Sequence, residues 1–137
     1  MSHKHYKLVH TEIIPIRWGD MDAMGHVNNT IYFRYMETAR IAWFERIGAR
    51  RGPEGIGPVV VNASCSFLKP LVYPGNVDVR VFAGDAGRSS LQTWLEMRLA
   101  DDPDTIHAEG GGKLVWVDFA KGKSSPLPDS IRKLLEE

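Results

Sequence analysis

The sequence predicts an α+β domain. One long stretch carries helical periodicity, several runs alternate as strands do, and turn-forming residues mark the junctions between them. Residues 8–18 are rich in Val, Ile and Thr and read as a first strand. From Ile31 the spacing changes: Tyr32, Tyr35, Met36, Ala39, Ala42, Trp43 and Ile47 recur at helical intervals, and Arg34, Glu37, Thr38, Arg40 and Glu45 supply a polar face. Asn28, Asn29 and Thr30 are capping candidates at the start of this helix, and Gly48 is its natural stop. Phe33, Ile41 and Phe44 widen the apolar surface, so the helix is expected to be wrapped by other structure at the centre of the core.

After a Gly- and Pro-containing loop at residues 49–57, which carries Arg50, Arg51 and Pro53, four strand runs follow. In residues 58–69, Val59, Val61, Ala63, Cys65 and Phe67 alternate with Val60, Asn62, Ser64, Ser66 and Leu68. Residues 76–83 set Val77, Val79 and Val81 against Asp78 and Arg80. Gly84-Asp85-Ala86-Gly87 then forms a hairpin turn into residues 89–100, where Leu91, Leu95, Met97 and Leu99 oppose Gln92, Glu96 and Arg98. Residues 105–119 form the last run, and Gly110-Gly111-Gly112 within it marks a bulge or a close backbone approach. Pro126-Leu127-Pro128-Asp129 opens a short helix to Glu137. Sequential antiparallel-type strands exclude a doubly wound sheet. The expected architecture is a curved antiparallel five-stranded sheet around one long central helix, with a short C-terminal helix.

The 137 residues suit a single domain spanning 1–137. Lys plus Arg and Asp plus Glu each number 17, so the formal charge is zero, and neither nucleic acid nor a membrane surface is an expected partner. No signal-peptide pattern or apolar run of membrane-spanning length is present, and a cytoplasmic protein is expected. A single cysteine, Cys65, excludes an internal disulfide and reads as a buried, inert thiol. His3, His5, His10 and His107 show no zinc-ligand spacing, and no metal site is expected.

The chemistry concentrates in the run from Arg17 to Asn29, a polar, Gly-containing turn between the first strand and the long helix. Backbone N–H groups at such a helix start face any anion or developing oxyanion. Asp22 can supply a carboxylate nucleophile or general base, or form an Asx turn. His26 follows four residues later, to position water or a carbonyl, or to hydrogen-bond the turn. Asp20, nearer the strand, reads as structural, pairing with Arg17 or fixing the turn.

Asp-x-Asp-x-x-Gly-His-Val-Asn-Asn at residues 20–29, the Tyr-containing helix, Lys69-Pro70-Leu71 and Gly87-Arg88-Ser89-Ser90 together resemble the hotdog-fold acyl-CoA thioesterases of the 4-hydroxybenzoyl-CoA thioesterase family. The resemblance covers nearly the whole chain. It implies a hotdog fold and hydrolysis of an acyl-CoA to free acid and CoA, with Asp22 as nucleophile or general base and the Asn29 N–H polarising the thioester carbonyl. His26 matches a His implicated in catalysis in plant acyl-ACP thioesterases, although Met24 stands where those carry Asn. Arg88, Ser89 and Ser90 match a segment near pantetheine and phosphate, and Lys69 is a second cation for the substrate. Tyr32, Tyr35, Met36 and Phe67 are candidates for the acyl pocket or for core. Asn62 falls where some relatives carry an acid, so it is a candidate for touching substrate or water or for satisfying a hydrogen bond. No cofactor beyond the CoA of the substrate is implied, an acyl carrier protein is the alternative carrier, and a homodimer or homotetramer is expected. The alternatives are a non-catalytic acyl-CoA or acyl-carrier-protein binder and a hotdog enoyl-CoA hydratase, whose longer Asp-to-His spacing with Asn-Pro is absent here.

Overall fold

The computed structural model describes residues 5–48 and 55–137, so residues 49–54 of the expected 49–57 loop and His3 lie outside the described residues, while Ile56 and Gly57 already belong to a strand. Strand β1 spans Lys7–Pro15, shorter than the expected run because the chain turns inward after Pro15. Ile16 is buried and donates its N–H to the Gly75 carbonyl, and a single 3-10 turn at Trp18–Asp20 follows. Helix α1 occupies Asn29–Ile47. Asn28 caps it by accepting the Thr30 N–H, and Gly48 closes it in the left-handed conformation (φ 68°) that a glycine adopts without a Cβ clash.

The sheet is antiparallel and curls around α1 as a half-barrel, the hotdog architecture. Its remaining strands are β2 (Ile56–Val60), β3 (Ser64–Phe67), β4 (Asn76–Gly84), β5 (Ser90–Leu99), β6 (Ala108–Asp118) and β7 (Lys123–Ser124). The order is β1-β4-β5-β6-β2, with β3 and β7 also pairing with β6. Two details differ from the sequence reading. The run at 58–69 divides into β2 and β3, interrupted at residues 61–63, so it contributes two strands end to end along β6. It also lies on the far side of β6 from β4, so residues 68–75 cross from that edge to β4, between β1 and β5, where a direct strand-to-strand turn was expected. That crossing carries Leu71, which is fully buried.

The alternation of β4 and β5 works as written. Val77, Val79, Val81, Leu91, Leu95 and Met97 point inward onto Tyr32, Tyr35, Met36, Ala39, Trp43 and Phe44 of α1. Phe44 bridges two tryptophans, with ring centroids 5.4 Å from Trp43 and 6.3 Å from Trp116. The wrapping is one-sided: Phe33 and Ile41 remain exposed in the single chain. Helix α2 (Asp129–Glu136) closes one end of the core through Ile131, with Leu127 just before it. Among the described residues no helix is long and apolar enough to cross a membrane.

The three consecutive glycines of β6 are a close backbone approach. A Cβ at Gly110, Gly111 or Gly112 would collide with the carbonyl oxygens of Ser64, Thr93 and Asn62 respectively. Backbone cannot yield as a flexible side chain can, so Gly111→Ala is expected to cost at least about 2 kcal/mol in urea unfolding. Gly19→Ala, with open space at the site of its Cβ, should stay within about 0.5 kcal/mol of the parent.

Candidate functional site

Residues 20–28 form a closed turn. Asp22 N–H donates to His26 O at 2.9 Å, Gly25 N–H to Asp22 O at 3.0 Å, and Asn28 N–H to Asp20 O at 2.9 Å. Gly25 takes a positive φ of 78°, which is why a glycine fits there. Asp20 ties this turn to the helix: its Oδ2 accepts the Tyr35 hydroxyl at 2.6 Å and the Arg17 backbone N–H at 3.0 Å. Asp20 is thus structural, and its partner is the main chain of Arg17. Burial and the bond to Asp20 push the Tyr35 phenol well above its ordinary pKa, so it stays protonated and donating.

Asp22 is exposed, with its two oxygens in different surroundings. Oδ1 accepts the Met24 N–H at 2.9 Å, an Asx turn, while Oδ2 has only a long 3.5 Å contact from Asn28 Nδ2. Asn28 therefore links the carboxylate to the helix start, since its Oδ1 also accepts from Thr30 N at 2.9 Å and Thr30 Oγ1 at 2.6 Å. Asn29 is the first residue of α1, and its N–H is one the helix cannot satisfy. No acceptor among the described residues takes it.

An open groove of about 350 Å³ is lined by Asp22, Met24, His26, Val27, Asn29, Tyr32, Phe67, Lys69 and Pro70. It brings together six residues singled out in the sequence: Asp22, His26, Asn29, Tyr32, Phe67 and Lys69. Tyr32 is buried beneath it, accepts the Leu71 N–H at 3.1 Å and meets the Phe67 ring edge-on at 4.9 Å. Burial raises its phenol pKa, with the Leu71 N–H opposing. Tyr35 and Met36 are core and do not line the groove. Asn62 lies apart, in a depression with Gln92, Thr93 and Gly112, where its Oδ1 accepts the Lys113 N–H at 3.0 Å. Arg88 and Ser89 occupy the β4–β5 turn, Ser90 opens β5, and none of the three lines the groove of its own chain. Half-buried Cys65 has its thiol pushed up to about 11 by burial, which keeps it protonated at neutral pH.

The groove wall rests on main-chain atoms that the sequence reading did not single out. Leu71 receives the Val27 N–H on its carbonyl at 2.8 Å and gives its own N–H to Tyr32, bridging turn and helix. The His107 carbonyl accepts both Leu68 and Lys69 N–H at 2.9 Å, and its buried ring lies 3.3 Å from the Pro70 carbonyl. Leu71 stands in the Lys69-Pro70-Leu71 motif of the sequence, but its main-chain bridging role leaves no mark on residue type.

Fold and groove together define a hotdog protein of the thioesterase class. The chain belongs to the thioesterase-like superfamily, whose family model matches residues 16–135. It is similar to a candidate thioesterase from Pseudomonas aeruginosa, with 49% identity, a TM-score of 0.89, and 93% of this chain and 98% of that one covered. A thioesterase from Thermus thermophilus, solved with coenzyme A and zinc, is 33% identical with a TM-score of 0.78 over 95% of this chain and 99% of that one. A candidate acyl-CoA thioesterase from Xanthomonas campestris is 30% identical with a TM-score of 0.79, covering 88% of this chain and 100% of that one. Among the described residues here, no group of three His, Cys, Asp or Glu side chains is arranged to hold a metal ion.

Tyr35→Phe keeps the packed ring and removes only the donor to Asp20. Hydrogen bonds to charged groups contribute about 1.5–3 kcal/mol, so thermal unfolding should report a loss of that order. A variant as stable as the parent would show that this bond does not hold the turn to the helix.

Proposed function

We propose that the protein hydrolyses acyl-CoA thioesters to free carboxylic acid and CoA. The observation that supports this reading is that the Asp22 carboxylate and the unsatisfied Asn29 N–H line one groove. A thioester carbonyl lying against the start of α1 would develop negative charge on its oxygen during attack. The Asn29 N–H and the helix dipole stabilise that charge. Asp22 acts by one of two routes. As a base it takes a proton from water, whose oxygen attacks the carbonyl carbon. As a nucleophile it forms a mixed anhydride that water then cleaves. In both, the C–S bond breaks with its electron pair going to sulfur, and CoA leaves as the thiol after protonation.

His26, exposed beside Asp22 in the groove, orients the water. Phe67, Tyr32 and Met24 supply the apolar surface for the acyl group. Lys69 at the groove, with Arg88 and Ser89 in the β4–β5 turn and Ser90 at the start of β5, supplies the cations and donors that the CoA phosphates require. The exposed Val60, Val61, Phe67 and Leu68 along the β2–β3 edge support assembly into a homodimer or homotetramer.

The test is free-thiol release from a panel of short, medium, long and aromatic acyl-CoAs, comparing the parent with Asp22→Asn. Turnover should fall by at least about a hundredfold in the variant, in line with loss of a positioned base, while CoA binding and the unfolding midpoint hold. Saturable acyl-CoA binding without thiol release from any substrate would overturn the hydrolase reading in favour of a binder.

A further inference from the structure

The β4–β5 turn is held from outside the hairpin. Tyr6 donates its hydroxyl to Asp85 Oδ2 at 2.7 Å, while Asp85 itself sits at a positive φ of 49°. Gly87 N–H donates to Ser90 O at 2.8 Å, and Trp116 N–H to Ser89 O at 2.8 Å. The centre of the turn is fixed by the C-terminal segment. One guanidinium nitrogen of Arg132, on α2, donates to Gly87 O at 2.8 Å and to Arg88 O at 3.0 Å. The Arg88 carbonyl also accepts the Leu127 N–H at 2.8 Å.

Helix α2 is in turn anchored. Ile131 is fully buried, and Lys7 of β1 donates to the Leu134 carbonyl at 2.7 Å, at the end of the helix where a cation is favoured. The main chain at Arg88 is therefore drawn towards α2, and its exposed side chain projects from a fixed base. Among the described residues, neither Arg88 nor Arg132 has a carboxylate partner. Two unneutralised cations on adjoining segments raise the local positive potential, and an anion relieves it.

We infer that Arg132 is a positioning residue for coenzyme A: it fixes the 87–88 backbone so that Arg88 is presented to the CoA phosphates. This rests on the reading above that the turn takes those phosphates. Arg132 acts through the shape of the turn, so its loss affects the phosphate-bearing end of the substrate and leaves the reacting carbonyl untouched.

The experiment is calorimetric titration of the parent and of Arg132→Met, Arg132→Lys, Arg88→Ala and the Arg132→Met/Arg88→Ala double variant. The probes are CoA and pantetheine, which lacks the nucleotide phosphates. Arg132→Met retains much of the aliphatic length of the side chain and removes every donor. It should weaken CoA about tenfold, the size expected for one well-oriented charged contact, without changing pantetheine binding. Lys, which keeps a charged donor, should recover part of the loss, and the double variant should be no weaker than Arg88→Ala alone.

Unchanged CoA affinity in both Arg132→Met and Arg132→Lys, with Arg88→Ala weakened, overturns the positioning role and leaves the assignment of the turn intact. Losses that add in the double variant also overturn it, because Arg132 would then act independently of Arg88. An equal loss for pantetheine marks general destabilisation and overturns it as well. If Arg88→Ala binds CoA like the parent, or the parent binds no CoA, the turn is not the phosphate anchor and both readings fall.

Discussion

Helix α1 carries a wide aromatic and aliphatic face, and a flat sheet cannot cover it. The sheet has to curl, and its strands must approach one another most closely on the side that closes over the helix. In β6 that demand falls on Gly110, Gly111 and Gly112, where the carbonyls of flanking strands occupy the space any Cβ would take. The absence of three side chains lets β3 and β5 pack against one backbone. Phe67 on β3 is thereby brought edge-on to Tyr32, and the end of the sheet is carried over the N-terminus of α1. The groove is a consequence of that curvature.

Within the groove, the carboxylate and the helix start are positioned by side-chain and main-chain hydrogen bonds together. Asp20 holds the turn to Tyr35, Asn28 joins the helix cap to Asp22, and Leu71 connects the turn to the helix through both of its own backbone groups. The side chains that face the opening, Asp22, His26 and Lys69, are left exposed to meet a ligand. The proposed oxyanion donor needs no side chain at all, since Asn29 offers a first-turn N–H that a helix leaves unsatisfied by construction.

Much of this was legible in the sequence, and the boundary is physical. Val77, Val79 and Val81, the helical recurrence from Tyr32 to Ile47, and the caps Asn28 and Gly48 each report a local periodicity or a local hydrogen bond. They read correctly for that reason. Asp22 and Asn29 share a groove because one short turn joins Asp22 to the helix start at Asn29. The division of the 58–69 run was not legible, because the alternation of Val59 to Phe67 continues through residues 61–63 and only the register along β6 interrupts it. The roles of Leu71, His107 and Arg132 were equally hidden. These residues act on carbonyls and N–H groups far along the chain, and such partners leave no pattern in residue type. Arg88, Ser89, Ser90 and Asn62 lie outside the groove for the same reason, since the position of the β4–β5 turn relative to α1 is a tertiary fact.

The central claim is that the start of α1 receives the thioester oxygen. Its most direct test is the backbone amide spectrum of isotopically labelled protein during titration with a CoA analogue in which a methylene replaces the thioester sulfur. Such a ligand keeps the carbonyl and cannot be hydrolysed. The account expects the Asn29 amide proton to move downfield as the ligand saturates, with Thr30 and Met24 responding as neighbours. Saturable binding that leaves the Asn29 amide unmoved would contradict it and place the reacting carbonyl elsewhere.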